Sequence, residues 1–136
     1  MSSRIWIRRA YDPPSIVDGS RVLVDRLWPR GVSKVELRID VWARDLAPTD
    51  ALRHWFGHDP ARWDEFRTRY RDELAAQTGP ASAEFADLVD RVRSGRVTLV
   101  FGAHDARHNN AVVLREYLRE HADVSTKFAA SKMRAE

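Results

Sequence analysis

Arg21-Val-Leu-Val-Asp-Arg-Leu27 has an unbroken apolar centre, Val22 to Val24, and then stops abruptly at charge. A run without polar alternation is the pattern of a strand covered on both faces, which occurs in the interior of parallel sheets. Downstream, Arg96-Val-Thr-Leu-Val-Phe101 repeats the pattern with β-branched residues. Near the start, Ile5 and Ile7 alternate with Trp6 and Arg8 in a short strand that ends at Tyr11-Asp12-Pro13-Pro14. Three short strands separated by helical segments predict an α/β fold: a small, mainly parallel sheet with helices on both faces, layered as in Rossmann-like proteins.

The helical segments are read from caps and spacing. Ser33-Lys34-Val35-Glu36 has the form of a capping box and predicts a helix start. Between Ile39 and Leu46 strand and helix spacings overlap, and the segment is left open. Thr49 is a candidate N-cap for a short helix carrying Leu52, Trp55 and Phe56 and stopping at Gly57. Asp59-Pro60 opens a longer helix with Trp63, Phe66, Tyr70 and Leu74 on one face. Ser82 is read as opening the next, with Phe85, Leu88, Val89 and Val92 inward and Gly95 at its end. After the Arg96–Phe101 strand, a polar loop leads to a helix with Val112, Val113, Leu114, Tyr117 and Leu118. One domain over 1–121 is expected, followed by a helical extension or disordered tail over 122–136.

Composition narrows the function classes. The 136 residues hold 23 Lys and Arg against 20 Asp and Glu, a net charge of only +3, so nothing argues for a polybasic surface. Nucleic acid is a weakly supported partner. There is no cysteine, hence no disulfide framework, thiolate zinc site or cysteine nucleophile. No apolar run approaches the roughly 20 residues of a membrane span, and the first residues lack a signal-peptide core; the expectation is a cytoplasmic protein with no membrane partner. No GxGxxG, P-loop or GxSxG motif occurs, and no cofactor is called for.

Two loops qualify as a site because ligands of open parallel sheets bind outside the carboxyl ends of the strands. The first concentrates Asp25, Arg26, Trp28, Arg30 and Lys34 just before the capped helix. Guanidinium groups and free helix amides suit an anion, and Trp28, stiffened by Pro29, offers a flat face. The competing reading has Asp25 pairing with one arginine and Trp28 covering the core. The second loop, Gly102 to Asn110, supplies His104, Asp105, His108 and Asn109. Asp105 and His108 suit acid or base work and Asn109 could orient a substrate, although Asp105 or Asn109 taken singly reads more readily as simply the N-cap of the final helix. Trp55-Phe56 followed by His58 is expected to pack over the site. The pairs His54/His58 and His104/His108 are four apart, but Gly57 and a loop interrupt them, and no metal site is assigned.

Four segments in order carry a family resemblance: Arg21 through Asp25-Arg26-Leu27-Trp28-Pro29-Arg30-Gly31; Ala47-Pro48 leading to Leu52-Arg53 and Trp55-Phe56; His58-Asp59-Pro60 leading to Phe66 and Tyr70; and Thr98-Leu99 through Asn109 to Leu114. The chain resembles the YeaO-like family of small bacterial proteins, a domain of unknown function numbered 488, from about Ile5 to about Leu118. The resemblance implies a single α/β domain in a bacterial cytoplasmic setting and transfers no activity. It also marks two departures, His104 where relatives usually carry lysine and Asn110 where they tend to carry histidine.

The leading expectation is a small hydrolase or group transferase for an anionic, nucleotide-like or phosphorylated substrate. Arg26, Arg30 and Lys34 would hold the anion, Trp28 would stack, Asp25, His58 and His104 would lie against the ligand, and Asp105, His108 and Asn109 would do the chemistry. The alternatives are a non-catalytic module for a small ligand or nucleic acid, and a partner-docking protein.

Overall fold

The computed structural model describes residues 4–77 and 79–135, with side chains described as far as Ala122. Four strands form one fully parallel sheet in the order β1-β4-β2-β3: β1 (Ile5–Arg9), β2 (Ser20–Leu23), β3 (Val41–Trp42) and β4 (Val97–Phe101). All five residues of β4 are buried, as a central strand requires, and its one polar residue, Thr98, donates its hydroxyl to Asp18 O at 2.7 Å. It pairs with β1 from Ile5–Val97 to Arg9–Phe101 and with β2 from Ser20–Val97 to Leu23–Val100. The second strand is shorter than its apolar run, but Val24 still donates its N–H to Val100 O at 3.0 Å before the chain leaves the sheet.

Alternation along the central strands sorts the core into two faces. Val22, Val24, Val97, Leu99 and Phe101 meet α2 (Asp50–Phe56), α3 (Trp63–Ala75), α4 (Pro80–Ser94) and α5 (Asn110–Ala135) in one large core. Leu23 and Val100 point to the opposite face, where α1 (Lys34–Leu37) contributes Leu37, β3 contributes Trp42 and loops contribute Trp28, Val32 and Ile39. Helices thus lie on both faces, very unequally. The thin face is braced by polar groups: Arg21, 4 % exposed, pairs with Asp18 at 2.7 Å and donates two hydrogen bonds to Leu37 O, tying down the end of α1.

The caps act largely as their sequences predict. Ser33 Oγ accepts the Glu36 N–H while the Glu36 carboxylate accepts that of Ser33, and Thr49 Oγ1 accepts the Leu52 N–H. Gly57 ends α2 at φ 53°, and Asp59 accepts the Ala61 N–H ahead of the turn into α3. Phe66, Tyr70 and Leu74 are buried along α3. The expected start at Ser82 is corrected: α4 begins at Pro80, because proline suits the first helical position, where no N–H is needed. The open segment resolves into the two-residue β3, paired with Val22 and Leu23, and a 3-10 turn at Arg44–Leu46. The expectation of an extension or tail over 122–136 concerns side chains that lie, beyond Ala122, outside the described residues.

Candidate functional site

Adjacent strands β2 and β4 send their chains to opposite faces, β2 toward α1 and β4 toward α5. Where neighbouring strands diverge in this way a crevice opens at their carboxyl ends. Here it is a cavity of about 780 Å³. Its wall includes Asp25, Trp28 and Pro29 from the first loop, Phe56 and His58 from the end of α2, and Asn110 from the start of α5.

Asp25 joins the two loops. Its Oδ2 accepts the Gly102 N–H at 2.8 Å and its Oδ1 accepts from Asn110 Nδ2 at 3.1 Å, while the same amide also donates to Val24 O at 2.9 Å. A Cβ on Gly102 would sit 3.1 Å from Asp25 Oδ2, so the carboxylate's approach depends on glycine there. Burial pushes the Asp25 carboxyl above its ordinary value, opposed by the Gly102 and Asn110 hydrogen bonds and by the charges of His58 and Arg53.

The aromatic loop is held by its indoles. Trp28 Nε1 donates to Val32 O at 2.6 Å and Trp42 Nε1 donates to Asp25 O at 2.8 Å, with the two rings edge-to-face at 5.4 Å. Trp28 therefore both covers the thin core and lines the cavity. Arg26 lines it too, with its guanidinium donating to Ala47 O and Pro48 O at 3.2 Å each and lying 4.0 Å from Asp45. This arginine braces the segment after β3 against the first loop.

Arg30 and Lys34 are not among the cavity's lining residues. The chain turns at Gly31, φ 80°, and Lys34 begins α1 on the thin face. The capping box of α1 is closed on itself at Ser33 and Glu36, and none of residues 33–37 is among the cavity's lining residues.

The second loop folds largely onto itself. Asp105 Oδ1 accepts the N–H groups of Arg107 and His108 at 2.8 and 3.1 Å, and Oδ2 lies 2.9 Å from His108 Nδ1. The Arg107 amide first, then the His108 ring, hold its carboxyl down to about 2. His108 packs edge-on against Trp63 at 5.2 Å and is not among the lining residues, whereas His104 and Asp105 are. Asn109, 2 % exposed, donates to Asp105 O and accepts the Val112 N–H: it closes the amino end of α5. His104 Nδ1 lies 3.4 Å from Arg9 Nη2 at the exposed edge of the loop.

Of the Trp55-Phe56 pair expected over the site, Phe56 lines the cavity; sequence reasoning missed Asn110, Arg53 and Phe66 as cavity residues and Trp42 as the clamp on the Asp25 backbone. Asn110 was noted only as a departure from relatives. One local signal marks the α2 side: His58 follows Gly57 in a second left-handed conformation, φ 57°, unusual for a residue with a side chain. Trp55 lies away from the lining, between the guanidiniums of Arg62 and Arg69 at 5.2 and 4.6 Å from its ring. Among the described residues no group of three or more His, Asp or Glu side chains is placed to hold a metal ion, and no helix is long and apolar enough to cross a membrane.

A family model described as "Inactive DUF488-N3 subclade" matches residues 4–134. An uncharacterised protein of Mycobacterium tuberculosis is 39 % identical over 116 residues, covering 85 % of this chain and 94 % of the relative. The uncharacterised protein YeaO of Escherichia coli is 37 % identical over 115 residues, covering 85 % and 96 %. No solved structure matches. The match across almost the whole chain, together with the DRLWPRG loop that builds one wall of the cavity, makes this chain a member of the YeaO-like DUF488 family.

Proposed function

We propose that the chain is a small-ligand-binding module that does not turn its ligand over, with the cavity at the carboxyl ends of β2 and β4 as its binding site. The observation that carries this reading is the fate of the chemical groups around the cavity. Asp105 is held near pKa 2 by its own loop, Asn109 caps α5, His108 faces Trp63, and Arg26 is spent on two carbonyls. A carboxylate that weakly basic is a poor proton acceptor at neutral pH. Among the described residues no serine, threonine, tyrosine or lysine lines the cavity to act as nucleophile, and the chain has no cysteine. What the wall does offer is Trp28, Phe56 and Phe66 around a few polar groups, the ordinary makeup of a small-molecule pocket. The word "inactive" in the description of the matching subclade supports the same reading.

A thermal-shift screen of nucleotides and phosphorylated metabolites tests it, followed by chromatography of each binder after prolonged incubation. A ligand at a hundred times its Kd adds about 2.7 kcal/mol of stability, readily seen in Tm. The expected result is a binder recovered unchanged. Conversion of a binder that disappears in Asp25→Asn would restore the hydrolase or group-transferase reading, for which Asp25, raised by burial, is the remaining acid–base candidate.

A further inference from the structure

The two faces of the sheet are finished differently. On one, α2 to α5 bury the apolar side chains, and among the described residues none of these helices exposes a large one. The other is covered by a single layer of chain, residues 11–19 and 28–40, whose only helical pieces are a 3-10 turn at Ile16–Asp18 and the one-turn α1. Parallel sheets are ordinarily covered on both faces, because their strands are apolar throughout. This cover is thin, and it is the layer that shows apolar side chains to water.

Arginines of the strands hold the layer in place. Arg8 donates to Pro13 O at 3.3 Å, and the Arg96 guanidinium lies 3.8 Å over the Trp6 ring while donating to Val17 O at 3.1 Å. Arg21 reaches Asp18 with one nitrogen and Leu37 O with another, so the 3-10 turn and α1 stand one guanidinium apart. Three outward side chains of these two neighbours are Ile16, 97 % exposed, Val17, 52 %, and Val35, 83 %. The other exposed large apolar residues are Tyr11, whose hydroxyl donates to Arg30 O within the same layer, and Leu27, which lines the cavity. Single exposed apolar residues are ordinary, but several gathered on one face mark an interaction surface.

Charge selects the occupant. Apart from Asp18, which is buried against Arg21, the charged residues of the layer are Asp12, Glu36 and Asp40 against Arg30, Lys34 and Arg38, three of each sign. A balanced surface gives little attraction to nucleic acid or to an anionic membrane, both of which call for an excess of cations. It suits a copy of itself. Along the chain Lys34, Glu36, Arg38 and Asp40 alternate in sign. A two-fold axis sets the same patch against itself in the opposite direction, which brings Lys34 of one copy to Asp40 of the other and Glu36 to Arg38. We propose that this layer is the docking surface for a second copy of the chain, in a two-fold pair with Ile16, Val17 and Val35 at its apolar centre and the alternating charges at its rim. The pair covers the weakly covered face of each sheet and leaves α2 to α5 facing water.

Sedimentation equilibrium of the full chain over about a hundredfold range of concentration tests the proposal. Rim charges contribute little singly, so the variants address the centre. Ile16→Asp and Val35→Asp each place a carboxylate there, and the two-fold axis places it twice; both side chains are so exposed that a single copy does not need them to fold. Ala86→Asp adds the same charge at an exposed position of α4 as a control. Expected is a species of twice the 15.7 kDa chain for wild type and Ala86→Asp, with a dissociation constant raised at least about tenfold by Ile16→Asp and by Val35→Asp. Should a variant fail to fold, the wild-type amide resonances decide: shifts with concentration at Ile16, Val17 and Val35 support the pair, and shifts confined to α2–α5 overturn it. A wild type that stays at 15.7 kDa throughout overturns the proposal. So does a pair that either centre variant leaves intact, a pair broken by Ala86→Asp, or an assembly of more than two chains, which a closed two-fold contact does not give.

Discussion

Asp25 and Asp105 are carboxylates of one cavity, delivered by the loops after adjacent strands, and their environments drive them in opposite directions. Asp25 lies deep, receives one backbone and one side-chain hydrogen bond, and is raised by burial. Asp105 lies where water reaches it, receives two backbone N–H groups and the His108 ring, and is held down to about 2. The first loop spends its carboxylate on joining the strands; the second spends its own on shaping itself. Residue type alone therefore does not say which acid of a site stays available to a ligand: depth and the number of donors already aimed at it decide.

Removing each carboxylate is the strongest way to break this comparison. Asp25→Ala leaves the Gly102 N–H and one Asn110 hydrogen in a half-buried site without an acceptor, an expected loss of about 2 kcal/mol in urea unfolding. Asp105→Ala should lower the unfolding midpoint markedly less, because water can satisfy the exposed Arg107 N–H. Equal losses would mean that the second loop, too, is part of the fold's bracing. Asn109→Ala, which strips the cap from α5, should cost about 1 kcal/mol, in the range of N-cap deletions.

The pH dependence sharpens the same contrast. A carboxyl raised in the folded state holds its proton more tightly there than in the unfolded chain. Asp25 therefore favours folding at low pH, and that contribution is lost as pH climbs from the ordinary value of 3.8 through the raised one. Asp105 has the opposite sign: its contribution is present above the unfolded value, near 3.8, and is lost as pH falls toward about 2. Urea midpoints followed against pH for wild type, Asp25→Asn and Asp105→Asn should give difference curves of opposite slope. Curves of the same slope would remove the distinction between the two acids.

The smallest effects are expected outside the cavity. Arg30→Ala and Lys34→Ala should each change stability by less than about 0.5 kcal/mol and leave the affinity for any cavity ligand within twofold of wild type. A tenfold loss of affinity in either would extend the site along the first loop beyond Pro29.

Much of the frame was legible because its signals are local. The apolar runs at Val22–Val24 and Val97–Phe101, the spacing of Phe66, Tyr70 and Leu74, and the caps at Ser33, Thr49 and Asp59 act within a few residues of themselves. Strand β3 was not legible, since its two residues become a strand only through pairing with Val22 and Leu23. The start of α4 was misplaced because Ser82 and Pro80 both signal a helix start, and Pro80 supplies the first turn.

Of the site, the sequence by itself determined that two polar loops follow two buried parallel strands, and hence that they meet where a crevice opens at the strands' carboxyl ends. Only the tertiary structure decided which side chains reach it. Arg26 was claimed by the carbonyls of Ala47 and Pro48, about twenty residues away, and Asn110 was brought to Val24 and Asp25 across more than eighty. Strand and cap signals are intrinsic to a stretch of chain. The availability of a charged group depends on which distant donors and acceptors have already satisfied it, and that is settled only when the elements pack.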